Sequence, residues 1–182
     1  MYFKKLVGTK CYLSPIDIND YNKYTEWWND ADVVRYLPNH YILTAEKEKE
    51  NLITVSKSHS YSIIDLETNE LIGDIGIKDI SNTNRTGEIS IIIGNKKYWN
   101  IGYGKEAMKL LINYAYNSLS LNCINLKVYE KNVKAISCYK SIGFQKAGLI
   151  REGAYYNQEY DNIVIMDILP KDFYKDLEKK IF

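Results

Sequence analysis

The amino-acid sequence predicts a mixed α/β domain: a mostly antiparallel sheet that contains a parallel pair, with helices on both faces. Three observations carry that expectation. Short strand-like segments follow one another from Ser60 to Ile93, with the turn residues Glu67 to Glu70 and Ser81 to Thr86 between them. A helical period then occupies Tyr103 to Asn117. After it a strand, a helix and two further strands alternate from Asn125 to Leu169. A strand joined to its neighbour through a crossover helix runs parallel to it, so at least two strands are parallel.

The elements follow in order. Lys10 to Leu13 reads as a short strand ending at Ser14-Pro15. Asp17 and Asp20 are caps for a helix from about Ile18 to Trp28. Asn29 to Asp32 breaks that helix, and Asp32 to Tyr36 adds one turn. After the Pro38-Asn39 loop, Thr44 opens a polar helix to about Ser56. Ser60 to Leu66, Leu71 to Ile80 and Glu88 to Ile93 are the strands of a meander. On the helix from Tyr103, the residues Ala107, Leu110, Leu111, Tyr114 and Ala115 form the stripe expected to meet the sheet. Asn125 to Tyr129 is the next strand and Val133 to Ser141 the next helix, closed by Gly143 as a left-handed cap. Phe144 to Leu169 reads as two strands around Tyr156 to Glu159, and Lys171 to Lys180 as a short helix. No linker or repeat divides residues 1–182, which are expected to form one domain.

Composition narrows the function. Hydrophobic residues are 46% and charged residues 26%, as in an ordinary globular protein, and the net charge of +1 argues against a nucleic-acid-binding face. Cys11, Cys123 and Cys138 have no CxxC spacing, so neither a disulfide framework nor a metal site is expected. Reduced thiols in a cytoplasm fit that pattern. Met1 to Leu6 lacks the apolar core of a signal peptide, and no apolar run is long enough to span a membrane.

The most informative stretch runs from Ile91 to Ala107. An apolar run stops at Gly94, crosses a polar turn and enters a helix through Gly102 and Gly104. That is a strand, a loop whose backbone can approach a ligand, and a helix N-terminus that suits a pyrophosphate. Gly102 and Gly104 alone read equally well as a tight turn. Glu106 and Ala107 stand where a dinucleotide fingerprint needs its third glycine, and no Gly-Lys-Ser follows. The second stretch is Asn132 to Phe144. Asn132 is an N-cap, a ligand, or both. Tyr139 is a core aromatic or a candidate acid.

Together these stretches resemble the GCN5-related N-acetyltransferases (GNAT), in the branch typified by ribosomal-protein and spermidine acetyltransferases. The family loop is Gln or Arg, two residues, Gly, one residue, Gly or Ala; Gly102 and Gly104 match, and Trp99 takes the Gln/Arg place, a variant common in this branch. The pattern Asn-x-x-Ala-x-x-x-Tyr-x-x-x-Gly-Phe is met in full by Asn132, Ala135, Tyr139, Gly143 and Phe144. Trp28 to Tyr36 resembles the branch's first helix and turn, and Tyr155 to Asp161 its terminal hairpin.

The resemblance implies the GNAT fold with a splayed parallel central pair, and direct acetyl transfer from acetyl-CoA to a primary amine without a metal. Backbone N–H groups from about Ile101 through Gly102, Tyr103 and Gly104 to Lys105 would cradle the pyrophosphate, with Asn100 also on the cofactor side. The pantetheine arm would lie beside Ile92 and Ile93, with Asn132 and Ala135 also on the cofactor side. Tyr139 is the expected general acid for the thiolate.

Glu88 is the first candidate for taking the amine's proton, directly or through water, with Arg85 or Lys78 as alternative ion-pair partners. Asp74 and Glu26 are further carboxylates on the acceptor side, where Trp28 and Tyr36 are expected to face the substrate. His40 and His59 read as surface residues. A covalent route through Cys138 lacks a paired base. A polyamine is the favoured acceptor; an amino-sugar nucleotide, a protein N-terminus and a non-catalytic acyl-CoA-binding module are the alternatives. A homodimer or larger homo-oligomer is expected from the branch alone.

Overall fold

The computed structural model describes residues 1–38 and 41–175. His40 and the part of the expected last helix beyond Lys175 lie outside the described residues. The elements are β1 (Leu6–Val7), β2 (Cys11–Pro15), α1 (Tyr21–Trp28), α2 (Ala31–Val34), α3 (Ala45–Val55), β3 (His59–Asp65), β4 (Leu71–Ser81) and β5 (Thr86–Ile93). They continue with α4 (Tyr103–Asn117), β6 (Cys123–Tyr129), α5 (Val133–Ile142), β7 (Gln145–Tyr156), β8 (Glu159–Ile168) and α6 (Pro170–Phe173). The strands hydrogen-bond in the order β1-β2-β3-β4-β5-β6-β8-β7. β5 and β6 form the expected parallel pair, with Thr86, Gly87 and Glu88 opposite Cys123, Ile124 and Asn125. Among the described residues no helix is long and apolar enough to cross a membrane.

The chain clusters into two compact units, Met1–Lys78 with Ser90–Tyr114, and Asp79–Ile89 with the chain from Ala115 onward. In the first unit one core cluster joins Tyr12, Tyr24, Trp27, Val33, Leu52, Ile64, Leu71 and Ile92, drawn from α1, α2, α3 and the strands. Burial of a side chain the size of Tyr24 or Trp27 stabilises by roughly 2–3 kcal/mol. Side-chain caps hold several of the turn and helix starts. Asp17 accepts from Asn19 N–H at 3.0 Å, Asp30 from Asp32 N–H at 2.9 Å and Thr44 from Lys47 N–H at 3.2 Å.

Two details differ from the sequence reading. Asp17 caps a 3₁₀ turn (Ile18–Asp20), and α1 begins only at Tyr21. Asp20 makes no cap, because its carboxylate is taken by the Tyr2 hydroxyl at 3.0 Å. The fully buried side of α4 is Ala107, Met108, Leu111, Ile112 and Ala115, while Leu110 and Tyr114 are half-buried. The stripe is rotated toward Met108 and Ile112, so these two enter the core where Leu110 and Tyr114 were expected.

In the second unit β6, β8 and β7 pair antiparallel, Leu126 facing Met166 and Tyr155 facing Tyr160 in register. Asn132 caps α5 by accepting from Ala135 N–H at 3.2 Å. Gly143 ends it with φ +121, and its N–H and that of Phe144 return to the Tyr139 carbonyl.

Candidate active site

The glycine loop is built by side chains that tie it down from outside. Trp99 donates its indole N–H to the Ile93 carbonyl at 2.6 Å, so the residue in the Gln/Arg place clamps the loop to the end of β5. Glu70 accepts from Asn95 Nδ2 and the Tyr98 hydroxyl, both at 2.9 Å, and Lys23 Nζ lies 3.2 Å away. The Tyr103 hydroxyl donates to Asp65 at 2.6 Å and its ring packs edge-on against Tyr98. Both carboxylates are disfavoured by burial, yet Thr68 and Tyr103 at Asp65, and Tyr98 with Lys23 at Glu70, hold each below its usual range. Tyr103 therefore turns its side chain toward β3, leaving its backbone N–H for a ligand.

The three glycines at this site answer to different demands. At Gly94 an added Cβ would drive into the Trp27 ring, so packing requires glycine. At Gly102 the backbone has φ +96, which favours glycine, and only Lys10 Cε at 3.7 Å would meet a Cβ. At Gly104 neither applies: a Cβ would meet nothing closer than Ile93 Cγ1 at 3.7 Å. The space over Gly104 is a cradle that a Cβ would fill, at a helix start where Glu106 N–H is bonded to the Gly102 carbonyl at 3.0 Å. The N–H groups before Glu106 in this turn have no carbonyl one helical turn behind them. These residues fit a pyrophosphate.

In the second unit, Tyr139 packs against Phe144 with ring centroids 5.9 Å apart, and its hydroxyl makes no hydrogen bond among the described residues. Burial first, then Cys138, pushes its pKa up to about 12, so its hydroxyl stays protonated. Glu88 is held by Lys127 Nζ at 2.7 Å with a side chain only 12% exposed. That partner was absent from the sequence reading because Lys127 comes from β6, one strand over. The Lys127 ammonium is in turn stabilised by Glu88.

The first unit also contains a cavity of about 450 Å³. Tyr24, Trp28, Tyr41, Glu48, Asp74 and Ser90 line it. Of the residues expected on the acceptor side, Trp28 and Asp74 meet here. Tyr36 is 37% exposed and does not line it, and Glu26 is exposed on α1. Glu48 was missed. It is 3% exposed, and burial raises its pKa against the pull of Asn51 and Trp28. The available signal was its place four residues before the buried Leu52, on the same face of α3. His59 is half-buried rather than on the surface, its ring tilted against Tyr114 at 6.5 Å.

Residues 10–145 match the family model described as Acetyltransferase (GNAT) domain. An N-acetyltransferase of Bacillus licheniformis called p20 is 28% identical over 168 residues, 88% of this chain and 93% of its own length. A putative ribosomal N-acetyltransferase of Bacillus subtilis, YdaF, is 29% identical over 57% of this chain and 56% of its own. Among solved structures, a spermidine N-acetyltransferase from Vibrio cholerae with CoA and spermine superposes with a TM-score of 0.83. It is 21% identical, and the match covers 91% of this chain and 99% of that one. A GNAT-family acetyltransferase from Bacillus anthracis gives 0.81 at 21% identity, over 93% and 98%.

Proposed function

Because this chain belongs to the GNAT acetyltransferase family, we propose that residues 1–182 act as one N-acetyltransferase domain with a polyamine as acceptor. The proposal places it in the branch of ribosomal-protein and spermidine acetyltransferases. As a family member the chain is an acyl-CoA N-acyltransferase that uses acetyl-CoA and an amine. The observation that carries the acceptor assignment is the cavity of the first unit, where Glu48 and Asp74 present two carboxylates beside Trp28 and Tyr41. Carboxylates among aromatic faces select a cation. The Vibrio cholerae structure that holds spermine supports the same reading.

Acetyl-CoA supplies an activated acyl carbon and a thiolate leaving group. In this reading the backbone N–H groups from Ile101 to Lys105 bind the pyrophosphate, with the helix dipole behind them and Asn100 also at the cofactor. Ile92 and Ile93 offer a strand end to the pantetheine arm, and Asn132 and Ala135 also serve the cofactor in this reading. Tyr139 holds a proton at its hydroxyl for the departing sulfur. The chain would work in a reducing compartment such as the cytoplasm, where its free cysteines stay reduced.

Thiol release from acetyl-CoA is the test, over a panel of spermidine, an amino-sugar nucleotide and a peptide with a free N-terminus. Spermidine is expected to give the highest kcat/KM. Release only with the peptide or the nucleotide would overturn the polyamine assignment. Binding of acetyl-CoA without release for any amine would make the chain a binder.

A further inference from the structure

Asp74 is set apart from every other carboxylate of the first unit. It stands on β4 opposite Ser62 of β3. Gly73 before it lies so close to the Ile92 carbonyl that an added Cβ would drive into that oxygen. Asp74 therefore rises beside the end of β5, where the donor arm is expected. Its carboxylate enters the cavity, and among the described residues no hydrogen-bond donor or cation reaches it. Asp74 is half-buried, and a carboxylate held there without a partner is disfavoured unless it is neutral or a ligand supplies the partner.

The groups around it come from four elements. Glu48 faces it from α3, and Tyr24 from α1 with its hydroxyl 3.1 Å from that of Ser62. Lys78 lines the same cavity further along β4, and β5 contributes Ser90. Burial, with the negative charge of Glu48 added to it, raises the Asp74 carboxyl to about 7. Glu88 differs in kind, because it is already paired with the Lys127 ammonium.

We propose that Asp74 takes the proton from the acceptor's ammonium group, and that Glu48 is the positioning residue whose charge readies it to do so. This rests on the N-acetyltransferase reading and deepens it. The ammonium gives one proton to the Asp74 carboxylate, and its freed lone pair forms the C–N bond as the C–S bond breaks. The second N–H proton goes to the departing sulfur, which leaves as the thiol. Asp74 then returns its proton to solvent.

The experiment is the pH profile of kcat/KM for the best amine, in the wild type and in Asp74→Asn, Glu48→Gln and Glu88→Gln. Acetyl-CoA affinity and circular dichroism confirm that each variant folds. The wild type is expected to gain activity as pH rises through about 7. Asp74→Asn loses that limb and about 100-fold or more in kcat. Glu48→Gln moves the limb to lower pH, and Glu88→Gln keeps it. The proposal is overturned if Asp74→Asn raises KM alone with the limb intact, or if the limb vanishes in Glu88→Gln. Should Asp74→Asn not fold, an unshifted limb in Glu48→Gln overturns it.

If no amine reacts, the parent reading fails separately, and carbon-13 NMR of the aspartate carboxyls still decides. A resonance titrating near 7 that moves to lower pH in Glu48→Gln supports the proposal. All aspartates titrating below about 5 overturn it.

Discussion

Glu106, in the first turn of α4, accepts two hydrogen bonds from Thr9, one from the backbone N–H at 2.8 Å and one from the hydroxyl at 2.6 Å. Its other oxygen takes the N–H groups of Lys10 and Cys11 at 2.8 and 2.9 Å. The carboxylate thus pins the turn between β1 and β2 to the start of the helix that carries the glycine loop. Burial opposes its charge, but these donors outweigh burial and lower its pKa to about 2. A folded pKa below the unfolded value means stability that is present above about pH 4.5 and lost as pH falls toward 2. Glu106→Gln should therefore cost about 1–2 kcal/mol at pH 7, screened by partial exposure, with the deficit closing toward pH 2. Urea unfolding at both pH values checks this; an equal deficit at both would refute it.

Gly94 lies beneath the Trp27 ring with no room for a methyl group. Gly94→Ala should lower stability by about 1–3 kcal/mol, because either the indole or the end of β5 must move. Gly94→Ala with Trp27→Leu should recover part of that loss, as coupled neighbours do. A purely additive double variant would show that the two residues do not meet.

Gly104 gives the opposite expectation. A Cβ has room there and alanine favours a helix, so Gly104→Ala should leave the melting temperature unchanged or higher. The family loop also takes alanine at this place, so Gly104→Ala should keep acetyl-CoA affinity, whereas the branched side chain of Gly104→Val fills the space left for a pyrophosphate and should lower it about tenfold or more. Calorimetry on the three proteins measures both effects. Unchanged affinity in Gly104→Val would remove the pyrophosphate from this turn.

Tyr139→Phe keeps the ring against Phe144 and removes only the hydroxyl. The expected result is a folded protein with kcat reduced about 100-fold. With a pKa of about 12, ionisation of Tyr139 should produce no fall in wild-type activity below about pH 10. A full rate in Tyr139→Phe at every pH would end its role as acid.

Much of the fold and the glycine loop of the candidate site could be read along the chain, and the reason is local. Caps act within three residues, as Thr44 and Asn132 do, and a left-handed terminus such as Gly143 is announced by its glycine. Trp99 was legible as a departure from the loop pattern. Its bond to the Ile93 carbonyl was not, because a side chain's partner depends on how the loop folds back.

The sequence by itself determined the order of strands and helices, the parallel pair, the glycine loop and the donor. Periodicity, caps and motif spacing are properties of neighbouring residues. Only the tertiary structure decided which carboxylates face a cation. It paired Glu88 with Lys127, turned Asp65 and Glu70 to the loop's tyrosines, and gathered Glu48 from α3 with Asp74 from β4 in one cavity. Burial and charge act through space, and Glu48 and Asp74 become a pair only when α3 packs over the sheet.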